Sequence, residues 1–340
     1  PDGTVDPDFD PLYIDDGVLA LAVQRDGKIL LGGAFTAVQY QFRTRLARMN
    51  PNGSLDPSFQ PAANDTVSAI AEQDDGSILV GGVLTQLNGV ARYSLGRLYP
   101  DGSLDADLEV SLPTGAQVFG LAVQGDGRIL FGGSFSEVSG VARAGIARLS
   151  PGGQLDSAFN PQFDGPVAML HALEDGRIYV GGEFFLVNGQ PRAGLARLLA
   201  DGALDVAFDA GLTPLTGNVW VSNMRLQTDG KLLVSGNFSA DGGGPRNYLA
   251  RLNADGSVDS DFAPQPNRLV RSIELLQDGR IVVAGEFTSI AGVQRLRVAR
   301  LLADGSIDPT FDATTVDGTV WSMSVEADGA VILGGTFNNV

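Results

Sequence analysis

The sequence predicts an all-β fold: a seven-bladed β-propeller with four antiparallel strands per blade, its ring closed by N- and C-terminal strands. Two observations carry that reading. The stretch Leu249–Phe262, Leu-Ala-Arg-Leu-Asn-Ala-Asp-Gly-Ser-Val-Asp-Ser-Asp-Phe, recurs as near copies at Leu46–Phe59, Leu95–Leu108, Ile146–Phe159, Leu195–Phe208 and Val298–Phe311, and half a copy opens the chain at Pro1–Phe9. Its turn glycines, Gly3, Gly53, Gly102, Gly153, Gly202, Gly256 and Gly305, set a period of 49 to 54 residues. Periods of that size mark propellers or solenoid arrays. Secondly, each period holds short β-rich runs divided by tight turns, with no helical pattern.

Each repeat opens with a strand A such as Val18–Gln24, turns at Asp26-Gly27, and continues into an apolar strand B, Ile29–Leu31 and its equivalents. Strand B ends in a glycine in all seven repeats, from Gly33 to Gly335. Glycine inside a strand marks a bulge or a close backbone approach. Two residues later stands Phe35, Leu84, Phe135, Phe184, Phe238, Phe287 or Phe337, a core candidate. A looser loop follows, often Asn/Ser-Gly-Val-x-Arg, as at Asn88–Arg92. Strand C is Leu-Ala-Arg-Leu, and strand D ends in Phe59 or its equivalents. The second repeat has leucine at both aromatic positions, Leu84 and Leu108, so the two are expected to share one pocket.

The C–D turns, such as Pro51-Asn52-Gly53 and Ala254-Asp255-Gly256, have the chemistry of a three-residue loop closed by a left-handed glycine. That register sets Arg48 opposite Asp56, and likewise Arg97–Asp105, Arg148–Asp156, Arg197–Asp205, Arg251–Asp259 and Arg300–Asp308. Asp-Gly-x-x-Asp looks like a fragment of a calcium loop, but the alternating oxygens and late glutamate are absent. Cross-strand ion pairs explain the constant spacing of eight more simply.

The predicted blades span 17–59, 66–108, 117–159, 166–208, 220–262, 269–311 and, for the seventh, 318–337 with 4–9, in a single domain over 1–340. The seventh lacks a Leu-Ala-Arg-Leu strand, so Asp6 has no arginine partner. The sequence therefore reads as a segment of a longer chain with flanking domains.

The strand motifs Asp-Gly-Lys-Ile-Leu-x-Gly-Gly-x-Phe and Leu-Ala-Arg-Leu-Asn-x-Asp-Gly-Ser-Leu-Asp-x-x-Phe resemble the delta-60 repeat family of bacterial propeller-like domains over nearly the whole chain. The Gly-Gly and turn-to-aromatic pattern is also kelch-like. The resemblance implies a propeller in bacterial, often surface-exposed or multidomain, proteins and supplies no catalytic residues.

The net charge of −17, from 40 acidic and 23 basic residues, argues against nucleic acid as partner. No run of 18 apolar residues is present, so membrane insertion through a helix is not expected. The absence of cysteine excludes disulfides and thiolate metal sites. An extracellular or cell-surface location is expected, since many secreted bacterial proteins avoid cysteine.

No catalytic constellation emerges, and no cofactor is expected. The single histidine, His171, aligns on strand A with Arg225 and Glu274 in the next two repeats. These three read as an Arg225–Glu274 ion pair beside a satisfied histidine, or as part of a ligand site. Seven residues earlier stand Asp15, Asn64, Gly115, Asp164, Asn218, Asn267 and Asp317. They read as Asx turns leading into strand A, or as a ring of oxygens in which Asp15, Asp164 and Asp317 would be weak metal candidates. In an antiparallel A–B–C–D unit the D–A and B–C loops share one face, and they carry Tyr13, Tyr40, Phe42, Tyr93, Phe163, Phe185 and Tyr248. Variable loops on a rigid scaffold are where binding is carried. The expected function is a non-enzymatic binding module with a protein or carbohydrate partner on that face. The alternatives are a lyase or hydrolase working at a tunnel mouth, and a structural spacer.

Overall fold

The computed structural model describes residues 2–4, 13–313, 316–326 and 329–337. Two compact units divide the chain, one of Pro7–Tyr179 with Leu198–Leu204, the other of Pro1–Asp6, Val180–Arg197 and Asp205–Val340. The division runs through the fourth repeat.

Strand A spans Val18–Val23, Val67–Glu72, Gln117–Val123, Val167–Ala172, Trp220–Leu226, Val270–Leu275 and Thr319–Val325 in successive repeats. It pairs with a strand B such as Ile29–Gly33 or Ile281–Gly285, and B pairs with a strand C such as Leu46–Met49 or Val298–Leu301. Among the described residues six repeats form three-stranded A–B–C sheets, and Thr319–Val325 and Val331–Thr336 form a two-stranded one. In the full repeats the apolar run of strand B is buried on both faces, as in Ile29–Gly33, Ile78–Gly82 and Ile281–Gly285, whereas Val331–Thr336 is only partly buried.

Strand D is shorter than the sequence suggests. It meets strand C through a single bridge per repeat, Met49↔Leu55 in the first and Leu252↔Val258 in the fifth. The next residue is the aspartate, whose Oδ1 accepts the amide two residues on: Asp56 from Ser58, Asp156 from Ala158, Asp259 from Asp261. These Asx turns bend the chain out of the ladder, helped by Pro57, which has no amide to pair. The expected second part of the seventh repeat, Thr4–Phe9, lies beyond Thr4 outside the described residues, as does Asp6.

A bulge explains the glycine that ends strand B. In strand A the register slips between Val18 and Ala20, Val67 and Ala69, Val270 and Ser272, and equivalently elsewhere. The slip carries a carbonyl of the preceding residue, that of Gly17, Thr66 or Leu269, over the glycine, where any Cβ would collide with it. The glycine is compulsory because of that carbonyl.

The aromatic positions pack across repeats, not within them. Phe59 shares a core with Leu84, Leu108 with Phe135, Phe262 with Phe287 and Phe311 with Phe337. Leu84 and Leu108 therefore occupy two different pockets, contrary to the sequence expectation. The end of strand D hooks into the following repeat and covers its turn glycine: Phe59 lies over Gly102, Phe159 over Gly202 and Phe262 over Gly305, while the Asp209 backbone covers Gly256.

The amino-terminal residues take part in the same relation. The Asp312 amide donates to the Asp2 carbonyl at 2.8 Å, matching the 3.1 Å bond from the Asp209 amide to Asp255. A Cβ on Gly3 would stand 2.8 Å from the Asp312 backbone. Residues 2–4 are thus placed against the sixth repeat as a further C–D turn.

Candidate functional site

The segment between strands B and C is a second small hairpin, tighter than the looser loop expected. Gln86–Leu87 pairs with Val90–Ala91, Glu137–Val138 with Val141–Ala142, and Ser289–Ile290 with Val293–Gln294. Both residues at each tip are left-handed: Asn88 and Gly89, Ser139 and Gly140, Asn188 and Gly189, Ala291 and Gly292. This is a type I′ turn, in which the second position belongs to glycine.

The first repeat breaks that rule. Its tip is Gln39 (φ 48°) and Tyr40 (φ 58°), so an aromatic residue occupies the glycine position. Tyr40 is 84% exposed, and Phe42 beside it is 77% exposed. The Tyr40 ring stacks on Tyr13 of the preceding D–A loop, with centroids 4.6 Å apart and planes 6° from parallel. Three aromatic side chains therefore face solvent on one hairpin and its neighbouring loop. A bulky residue held left-handed costs about 1–2 kcal/mol, and such outliers cluster at binding sites.

The other candidates disperse. Tyr93 and Phe185 are exposed on the second and fourth repeats. Tyr248 is half-buried at the start of the fifth repeat's inner pairing, also left-handed (φ 65°). Phe163 is buried, at 6% exposure, and does not belong to the exposed loop face. It holds the repeat position of Ile14 and Ala63, which bridge to Val38 and Leu87, so that position faces inward. Phe163 lies in a cleft of about 520 Å³ together with Phe135, Asp164 and Pro166.

The Asx position does something other than start strand A. Asn64 Oδ1 accepts the amides of Thr85 and Gln86, and its Nδ2 donates to the Thr85 hydroxyl; Asn267 repeats this on Thr288 and Ser289. Asp15 accepts from the Thr36 and Ala37 amides and the Thr36 hydroxyl. Burial opposes ionisation of Asp15, but these hydrogen bonds outweigh it and hold the carboxyl below its usual range. The side chain thus pins the D–A loop to the small hairpin, while the next residue caps strand A, as Asp16 does on Gly17. Asn218 differs again, donating to Glu183 at 2.8 Å. Among the described residues no three His, Cys, Asp or Glu side chains gather where they could hold a metal.

On strand A, Arg225 and Glu274 form the expected ion pair at 2.5 Å. His171 belongs to the other unit. A constellation not foreseen in the sequence lies nearer the loops. The Arg271 guanidinium stands 4.8 Å from the Trp220 ring centroid and 4.7 Å from that of Trp321, and its Nε and Nη2 donate to Glu286 Oε1. Trp220 and Trp321 are the only tryptophans in the chain. That rarity was the available signal. Arg271 and Trp321 are the extra residues of their strand A bulges, and a bulge re-aims its side chain.

Several known structures have similar folds. A WD40 propeller domain of Doa1 superposes with a TM-score of 0.63 at 15% identity, covering 95% of this chain and 91% of that one. The extracellular domain of a putative one-component system from B. thetaiotaomicron gives 0.61 at 15%, covering 98% and 39%. A virginiamycin B lyase from Staphylococcus aureus gives 0.60 at 14%, covering 95% and 96%. At such identities the likeness concerns the fold alone. No curated protein matches the chain. A family model described as a β-propeller domain of unknown function, DUF5122, matches six times, at residues 24–59, 73–107, 124–159, 173–208, 227–262 and 276–311. Each match runs from the end of strand A to the end of strand D of a full repeat, and the chain belongs to this DUF5122 β-propeller family.

Proposed function

We propose that the chain is a seven-bladed propeller serving as a non-enzymatic binding module of a secreted or cell-surface bacterial protein. Its ligand sits on the face of the D–A and B–C loops. Seven A–B hairpins support the blade count, as does the turn at residues 2–4 set against Asp312. The extracellular domain among the similar folds accords with the location.

Tyr40 carries the functional reading. A glycine there would relieve the left-handed strain, as it does in four sister hairpins, yet this repeat keeps a ring and leaves it in solvent. Stability is given up locally for an exposed aromatic surface, and aromatic residues dominate binding hot spots. A screen of the folded domain against glycan and peptide arrays tests this, alongside a Tyr40→Gly/Phe42→Ala variant with an intact melting transition. The expected result is a ligand whose affinity drops at least tenfold in the variant. Ligands bound equally by both proteins, or none at all, would refute the proposal.

A further inference from the structure

A second cleft of about 520 Å³ opens on the loop face of the sixth repeat, lined by Asn267, Arg268, Glu286, Thr288, Arg297 and Thr319. Its charge is the reverse of the molecule's. The protein carries −17, whereas this lining offers two arginines and one carboxylate, and that carboxylate is already held by Arg271 through two hydrogen bonds. Arg268 is exposed and engages no acidic residue among those described. Arg297 is fixed in a left-handed conformation (φ 67°), its backbone bonded to Phe287 and Gly285 and its guanidinium donating to the Glu286 carbonyl.

We infer that this cleft binds an acidic saccharide, a sugar carrying a carboxylate, with Arg268 and Arg297 taking the anion. This rests on the loop-face reading above and names a ligand for a place distinct from the aromatic hairpin. Guanidinium groups match a carboxylate bidentately. Glu286 is neutralised beforehand by Arg271, so it does not repel the ligand. Trp321 is partly exposed on the Arg271 stack, two residues along strand A from the cleft residue Thr319, and offers an aromatic surface for the apolar face of a sugar ring.

Hydroxyl partners are present. Thr288 accepts from Asn267 Nδ2 and so keeps its own hydrogen to donate. An acidic peptide is disfavoured, because it would need backbone groups to pair with. The amides of Thr288 and Ser289 are both taken by Asn267 Oδ1.

The test is calorimetric titration with trigalacturonic acid, with maltotriose and triglutamate as neutral-sugar and acidic-peptide probes. Trigalacturonate should bind, weaken as salt rises, and lose at least tenfold in affinity in Arg268→Glu. It should bind undiminished to Arg128→Glu, the same charge reversal on an A–B turn. Trp321→Ala should weaken it, with Trp321→Phe recovering part of the loss. Equal loss in both arginine variants would mean unspecific charge attraction and overturn the proposal. Triglutamate binding as tightly would overturn the sugar assignment. No trigalacturonate binding by the folded wild type would overturn this inference alone, because the aromatic hairpin is judged by its own array screen.

Discussion

Arg251 sets its Nε 2.7 Å from Oδ2 of Asp259, while its guanidinium lies 4.5 Å from the centre of the Phe262 ring. The same pair forms in all six full repeats, at 2.6 to 2.9 Å. Both partners of the fifth-repeat pair are nearly buried. Removing Arg251 leaves the Asp259 carboxylate with the Lys231 ammonium, 2.7 Å away, as its remaining charged partner, so the cost falls at about 3 kcal/mol, the low end for a broken buried pair. Arg251→Met should therefore lower the urea midpoint clearly. Asp259→Leu added to it should restore most of the loss, since no buried carboxylate then remains and the Lys231 side chain, a third exposed, can turn to solvent.

Acid should unfold the protein through these aspartates. Burial opposes ionisation of Asp259, but the Lys231 ammonium, the Arg251 guanidinium and the Asp261 amide outweigh it, lowering the pKa from 3.8 to about 2. Asp56 and Asp308 are likewise held well below the usual carboxylate range, against burial, by the hydroxyls and amides of Ser58 and Thr310 and by basic partners. A depressed folded-state pKa contributes stability above the unfolded value that is lost as pH falls through the folded one. Melting temperatures should therefore be flat from pH 7 to 5 and fall between about pH 4 and 2, with each such site worth on the order of 2 kcal/mol.

Two glycine substitutions separate strain from collision. Gly279 is left-handed (φ 85°) with open space where a Cβ would go, so Gly279→Ala should cost about 1 kcal/mol. Gly256 is equally left-handed, but its Cβ would stand 2.5 Å from the Asp209 carbonyl oxygen. Gly256→Ala should cost several times more. Similar losses in the two denaturation curves would mean that the contact between repeats yields easily.

Tyr40→Gly should raise stability by about 0.5–1 kcal/mol, the strain relieved less the Tyr13 stacking lost. A higher melting temperature together with weaker ligand binding is the expected signature of a residue kept for function. A lower melting temperature would show that the stack holds the loop together.

The turn glycines, the Arg–Asp register and the repeat boundaries were legible because each is local chemistry at a constant spacing. Pairing between repeats was not. Leu84 and Leu108 vary together in sequence, yet each answers to a different neighbour, Phe59 and Phe135. The Asx position was visible but its partner lies 21 residues on, at Thr85 or Thr288, where no turn rule points. Trp220, Arg271 and Trp321 escaped notice because the bulge shifts the register by one. Arg271 and Trp321 share a repeat position and Trp220 does not, although one guanidinium touches both rings. Phe163 looked exposed by its loop and is buried by its bridge position.

The strand C arginines have one more partner, the carbonyl at the start of the next repeat's C–D turn: Pro100 for Arg48, Pro151 for Arg97, Ala200 for Arg148, Ala254 for Arg197 and Ala303 for Arg251. The acceptor is a main-chain oxygen, so the clasp does not care which residue supplies it. The chain length between arginine and carbonyl ranges from 52 to 57 residues without breaking it. A repeat copied or exchanged with another would bring both halves of the joint with it. Insertions and new side chains can then accumulate on the loops in between while the seam stays the same, leaving the loops free to diversify without a new scaffold.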